Sequence, residues 1–331
     1  MRSVAAVLLV GVLTAGCASE GSSRSTGDGE PSREPSGVLP TEAPQFTAPP
    51  PSDPSSEPVP PPERASPDDV RIDTAVRAVR HLAGEIGPRP GHTAAYFEAA
   101  EWVERRLVSL GWDVRRQRFP TPGGSYEGIA IEAGPSVNLI ATSGDVRPGK
   151  PWLAVGAHLD TVPGAPGAED NASGVGVLLA VAEAIAERQT RLPVVLVAFG
   201  SEEPRGPTDD DHHYGSRAYV ASLTAAERRS LQGMVSLDRV GVGDVLPIGS
   251  AAEPSPLRAE LAAAAARAGA AAVLETGQKS SDHWSFVRDG LPGVRLGSTP
   301  YAAYHSPSDV PSVVDRAQLG RTVRTVVAWL R

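Results

Sequence analysis

From Trp152 to Leu330 the chain alternates short apolar runs with longer helical patterns, and this alternation constrains the fold more than any other feature. Trp152–Ala157 and Pro193–Phe199 are apolar on both alternating faces, as strands covered on two sides must be. Met234–Leu237 and Val294–Leu296 read as further short strands, and the strand-like runs Val137–Thr142 and Trp112–Phe119 precede them. Asn171–Glu187, Pro254–Ala268 and Asp315–Leu330 read as the intervening helices. Upstream, Ser66-Pro67-Asp68-Asp69 is a helix start: a capping serine, proline in the first turn, then acids. That helix is expected to reach about Glu85 and stop before Gly87-Pro88. A second, from His92 to about Leu110, repeats Phe97, Val103, Leu107 and Leu110 at helical spacing and ends at Gly111. Strands alternating with helices predict an α/β three-layer sandwich, a mainly parallel central sheet flanked by helices.

The residues before Asp68 have a different character. Thirteen of the 32 prolines fall between Ala18 and Pro67, among Ser, Glu and very few apolar side chains. Such a segment buries too little surface to offset its ordering entropy, and its prolines favour an extended spacer. Residues 17–67 are therefore expected to be a tether and 68–331 a single domain, with no internal repeat and no second linker. Ahead of the tether, Arg2 is followed by the uncharged run Ser3–Gly16. This is shorter than the ~20 residues a spanning helix takes and has the form of a secretory signal over residues 1–16. Its end, Leu13-Thr14-Ala15-Gly16-Cys17, resembles the lipobox of bacterial lipoproteins, with Thr14 where leucine is most usual. The resemblance implies cleavage before Cys17, lipid on its thiol, and an exported chain held at the outer face of the cell membrane. Cys17 is the one cysteine, so an intrachain disulfide and a cysteine zinc site are both excluded. A net charge of -8 argues against a nucleic-acid partner, which needs a basic face.

The polar residues that carry chemistry follow the strand-like runs. His158 comes directly after Trp152–Ala157, and Asp160 lies on the same face of an extended chain, able to hold the imidazole N–H. Asp170 stands at a helix start after the loop Gly164–Glu169, where a plain N-cap is the simpler explanation taken alone. Glu202 and Glu203 follow Phe199; as neighbours they point in different directions, so one can bind a metal while the other faces its water. Asp238 ends Met234–Leu237, and Tyr304-His305-Ser306-Pro307-Ser308-Asp309 comes near the C-terminus. Each alone reads as an ordinary loop residue. Together they emerge from the carboxyl ends of successive strands, where open α/β sheets place their sites.

In that order and spacing, Gly156-Ala157-His158-Leu159-Asp160-Thr161, Gly167-Ala168-Glu169-Asp170-Asn171-Ala172-Ser173-Gly174, Phe199-Gly200-Ser201-Glu202-Glu203, Gly215-Ser216, Leu237-Asp238, Ser281-Asp282-His283 and Tyr304–Asp309 resemble the di-zinc aminopeptidases of metallopeptidase family 28, clan MH. The likeness runs from about His81 onward. It implies the zinc aminopeptidase (phosphorylase/hydrolase-like) fold and two zinc ions per chain. One ion would be bound by His158 and Asp238, the other by Glu203 and His305, and Asp170 would bridge both. Asp160 would orient His158, and Glu202 would be the general base in removing N-terminal residues from peptide substrates. All five ligand positions carry nitrogen or oxygen donors suited to zinc.

Other outcomes on this fold are a dipeptidase or carboxypeptidase, a glutaminyl-cyclase-like enzyme working with one zinc, and a non-catalytic surface binding protein. The complete ligand set disfavours the last. His283 is expected to be structural or to line the pocket, Arg239 to be an ion-pair partner rather than a reader of substrate carboxylates, and His81 and His92 to lie at the surface. The stretch Pro204–Tyr214, long for the family between the paired glutamates and Gly215-Ser216, is either a solvated loop or a wall of the pocket whose three acids would attract an α-amine. The preferred residue, the physiological metal and the oligomeric state are open.

Overall fold

The computed structural model describes residues 61–143 and 146–331. The expected signal 1–16, Cys17 and most of the tether lie outside them. Among the described residues no helix is long and apolar enough to cross a membrane.

The strands are β1 (Asp113–Thr121), β2 (Gly124–Tyr126), β3 (Ile129–Ile131), β4 (Gly134–Thr142), β5 (Trp152–His158), β6 (Val194–Phe199), β7 (Leu231–Asp238), β8 (Val245–Ser250), β9 (Ala271–Thr276) and β10 (Gly293–Gly297). The helices are α1 (Ile72–Val79), α2 (Ala94–Ser109), α3 (Gly174–Ile185), α4 (Tyr214–Ser222), α5 (Ala225–Ser230), α6 (Pro256–Arg267), α7 (His283–Val287) and α8 (Arg316–Leu330). Eight strands form one sheet in the order β1-β4-β6-β5-β7-β10-β8-β9, and β2 and β3 form a separate hairpin. At the centre β6, β5, β7 and β10 run parallel; β4 and β8 are antiparallel to their inner neighbours β6 and β10. The expected α/β sandwich with a mainly parallel sheet is the fold observed.

Period-two alternation explains why the central strands read as unbroken apolar runs. Leu153, Val155 and Ala157 of β5, with Val194, Leu196 and Ala198 of β6, pack into the larger core with residues of α1, α2, α3, α6 and α8. Trp152, Ala154, Val195, Val197 and Phe199 point to the other face, against Tyr219 and Val220 of α4 and Phe286 of α7. Both faces are dry, so neither needs a polar residue until the strand ends. The polar residues appear there, at the carboxyl edge.

The domain begins a few residues before the expected boundary at 68. The Glu63 carbonyl accepts from Gln189 N, Ala65 N donates to the Gln189 carbonyl, and Ala65 is fully buried. Glu63–Pro67 thus belongs with the folded unit. The Ser66 cap is present with its reciprocal bond from Ser66 N to Asp69. The first helical region continues from α1 through a wider turn at Arg80–Ile86, close to the expected end. The expectations had no counterpart for β8, β9 or the β2–β3 hairpin.

Candidate metal centre

Three neighbouring parallel strands deliver the central residues. His158 is the last residue of β5, Asp238 the last of β7, and Glu202 and Glu203 follow β6 after only Gly200 and Ser201. Asp170 stands just ahead of α3, with φ -112° and ψ 86° outside the helical region; the residue at the N-cap of α3 is Ser173, and the Asp170 carboxylate turns to two histidines instead of capping a helix. His305 comes from the loop after β10, in the left-handed region at φ 52°.

The motif glycines have steric causes. A side chain at Gly174 would place its Cβ 2.5 Å from the Leu237 carbonyl oxygen and 2.4 Å from Asn171 Oδ1, and one at Gly215 would come 2.2 Å from the Gly200 carbonyl oxygen. Backbones therefore approach closely where α3 meets β7 and where α4 meets the loop after β6.

Asp170 is central. Its Oδ1 is 3.2 Å from His158 Nε2, and its Oδ2 is 3.2 Å from His305 Nε2. His305 Nε2 is also 3.2 Å from Glu203 Oε2, and His158 Nε2 is 4.0 Å from Asp238 Oδ1. Donor atoms of His158, Asp170 and Asp238 all lie within 4.8 Å of one another, as do those of Asp170, Glu203 and His305. The two sets share only Asp170. A third grouping joins His158, Glu202 and Glu203.

The surrounding bonds fix this geometry. Asp309, fully buried, accepts from Glu169 N (2.9 Å) and Asp170 N (3.0 Å) and from the Tyr301 hydroxyl. Asn171 donates to the Leu237 carbonyl and accepts from Gly174 N and Arg239 N, which ties the Asp170 turn to the end of β7. Asp160 sits beside His158, with Oδ1 3.7 Å from Nδ1. Its carboxylate accepts from Glu202 N (3.0 Å) and Glu203 N (3.2 Å), and His158 Nδ1 is 3.2 Å from the Asp160 main-chain carbonyl. The Asp160 side chain thus anchors the paired glutamates, while its backbone meets the imidazole. On the other ligand histidine, Nδ1 of His305 is 2.7 Å from the hydroxyl of Tyr126 on β2, a contact between distant segments that no spacing in the sequence signals.

The electrostatics call for cations. Burial pushes Glu202 and Glu203 up to about 8, with Asp170 adding to each. Burial pulls His305 down, but Glu203 and Asp170 outweigh it and hold it at about 12. His158 is likewise held well above the ordinary imidazole range, burial being outweighed by Glu202, Asp160 and Asp170. Buried carboxylates this close cannot all ionise cheaply without positive charge among them. Glu203 Oε1 is buried with no hydrogen-bond partner, a donor atom left free for a cation. Two imidazoles and three carboxylates are the hard and borderline donors that suit zinc, so the residues fit two ions that share Asp170.

The remaining residues divide as follows. Arg239 pairs with Asp238 (3.3 Å) and lies over the Tyr304 ring, the ion-pair role expected. His283 is fully buried, its Nε2 2.9 Å from the Gln278 carbonyl, and is structural. His81 stacks on Trp102, partly exposed as expected. Pro204, Asp209, His212 and His213 line the cavity beside the metal centre, so Pro204–Tyr214 does form a wall. Only one of its three acids faces that cavity. Asp210 pairs with Arg288 and Arg217, and Asp211 caps its own turn through Thr208.

Two candidate metal-binding donor sets at the carboxyl edge of an α/β sheet define the chain as a candidate metallohydrolase. It belongs to peptidase family M28, whose sequence profile matches residues 138–330. It is 27% identical over 311 residues to the uncharacterized protein YfbL of Escherichia coli, across 81% of this chain and 89% of that one. The fold superimposes on BSAP, a zinc aminopeptidase from Bacillus subtilis, with a TM-score of 0.68 at 18% identity, covering 78% of this chain and 94% of that one. It also superimposes on a glutaminyl cyclase of Porphyromonas gingivalis, with a TM-score of 0.67 at 24% identity, covering 80% and 98%.

Proposed function

We propose that the chain is a zinc-dependent aminopeptidase that removes N-terminal residues from peptides, with His158, Asp238 and Asp170 holding one zinc and Glu203, His305 and Asp170 the other. The observation that carries this reading is Asp170, whose two oxygens turn to two different histidines at 3.2 Å each, with Glu202 beside both donor sets. Zinc held there supplies Lewis acidity and brings the pKa of water toward ~7. Glu202 accepts the proton of the attacking water and hands it to the leaving amine. Asp160 keeps base and ligand in register by holding both of their peptide N–H groups, and Asp309 does the same for the turn that carries Asp170.

The cavity is about 260 Å³, at or below the low end of small-molecule sites of ~300–1,000 Å³. Asp209 on the cavity wall adds negative charge where a protonated α-amine enters. Export and a lipid anchor at Cys17 complete the proposal, with the proline-rich segment after it joining the anchor to the peptidase domain.

The test is Glu202→Gln, which keeps size and hydrogen bonding but takes no proton. We expect kcat to fall at least ~10²-fold with two zinc ions retained per chain; a fully active variant refutes the base. Treatment with a chelator abolishes activity and added zinc restores it, and activity that survives complete metal removal refutes the metal reading. Incubation with a peptide beginning in glutamine leaves no cyclised product, whereas its formation at a comparable rate moves the chain to the cyclase alternative.

A further inference from the structure

Glu202 is touched by a side chain that this mechanism does not use. His213 Nε2 is 3.1 Å from Glu202 Oε1, while the other oxygen, Oε2, faces His158 Nε2 at 3.9 Å. His213 is 4% exposed. It precedes α4 in the left-handed region, at φ 59° and ψ 32°, a conformation that costs a side-chain-bearing residue roughly 1–2 kcal/mol. The surroundings hold it there. Its N–H donates to the Glu202 carbonyl at 2.8 Å, and its carbonyl accepts from Arg217 N at 3.0 Å. The same residue is therefore bound to Glu202 twice, once through the main chain and once through the ring.

The ring has no competing partner, because Nδ1 is buried without a hydrogen bond. Burial also holds the imidazole below its ordinary range, and in its neutral form the ring carries one N–H, on either nitrogen. With the proton on Nε2 the ring donates to Glu202 Oε1 and leaves only an acceptor unpaired at Nδ1. With the proton on Nδ1 a buried donor is stranded and two acceptors face each other at 3.1 Å, which costs more.

We infer that His213 is a positioning residue for the base: its Nε2–H fixes one oxygen of Glu202, so that the other is presented to the metal centre. The inference rests on Glu202 being the base, as proposed above. A carboxylate tethered at one oxygen loses the rotamers in which it turns away from the attacking water, and outer partners of this kind are worth ~10–100-fold in activity or metal affinity. The stretch Pro204–Tyr214 then has a stated use. It returns a histidine from the end of the wall to the residue from which the wall departs.

The experiment uses the zinc-loaded full chain. His213→Leu is expected to lower kcat ~10–100-fold with KM and zinc content near those of the parent. His213→Gln, whose amide donor can take the place of Nε2–H, recovers most of that loss. In a Glu202→Gln background His213→Leu causes no further loss, because the group it positions no longer takes a proton. A readout independent of turnover is the ¹⁵N-imidazole spectrum: the parent shows a His213 Nε2–H protected from exchange, and Glu202→Ala removes that protection. Unchanged kcat in His213→Leu, equal losses for Leu and Gln, or a proton found on Nδ1 overturns the inference. If Glu202→Gln is inactive while His213→Leu is fully active, only the positioning role fails. If Glu202→Gln is itself active, the base assignment fails with it.

Discussion

Replacing Asp309 with alanine removes the side-chain acceptor for two backbone N–H groups of the turn carrying the bridging ligand. Its carboxylate takes the N–H groups of Glu169 and Asp170 at 2.9 and 3.0 Å and the Tyr301 hydroxyl at 3.0 Å. Both N–H groups sit in a buried turn, and each buried donor left unpaired costs about 1–3 kcal/mol. The hydroxyl is only partly buried and can turn to water. The sum over two N–H groups is about 2–6 kcal/mol. Burial already holds the Asp309 carboxyl above its ordinary range, so part of the gain is spent on desolvating its charge, and the lower half, about 2–4 kcal/mol, is expected. Urea unfolding of the chelated full chain, followed by circular dichroism, measures it as a lower midpoint at unchanged slope. The zinc-loaded variant should also retain less metal after dialysis than the parent, since Asp170 loses its orientation. A stability change below about 1 kcal/mol, with the metal content of the parent, would refute the reasoning that Asp309 holds this turn.

Asp170→Ala should empty both metal sites after gel filtration, whereas His305→Ala should lower zinc to about one ion per chain, since the donor sets share only Asp170; two ions retained in Asp170→Ala contradict the bridge. Cys17→Ala in the full chain should move the protein out of the membrane fraction, because the proposed lipid is its anchor; unchanged partition contradicts the anchor.

The sequence made the centre of the sheet legible because β5, β6 and β7 are buried on both faces. The runs of β5 and β6 are continuously apolar and that of β7 is broken only by Gln232 and Ser236, so the ionisable residues at their ends, His158, Glu202 and Asp238, stand out at the carboxyl edge. The sheet's margin was not legible for the opposite reason. β9 is Ala271–Thr276, with Val273 and Leu274 about half exposed, so it shows neither burial nor alternation. β2 and β3 have three residues each, too few for any period.

Among the site residues, Asp160 was placed beside His158 by strand periodicity. Its bonds to the N–H groups of Glu202 and Glu203 arise only because β5 and β6 are neighbours in the sheet. Asp309 lies four residues after His305, yet the backbone N–H groups it holds are about 140 residues away in sequence. His213 sits within a polar stretch that composition marks as solvated loop. Its contact with Glu202 depends on the left-handed turn before α4, a conformation in which histidine is enriched among non-glycine residues but which a single histidine does not mark.

The most direct test of the account is a mass-spectrometric time course with the zinc-loaded full chain and one peptide in two forms, with a free N-terminus and with an acetylated one. Stepwise loss of single residues from the free N-terminus, with the acetylated peptide left intact, is the predicted result. Loss of residues from the C-terminus, or equal cleavage of both forms, would contradict an aminopeptidase built on Asp170, Glu202 and the two histidines.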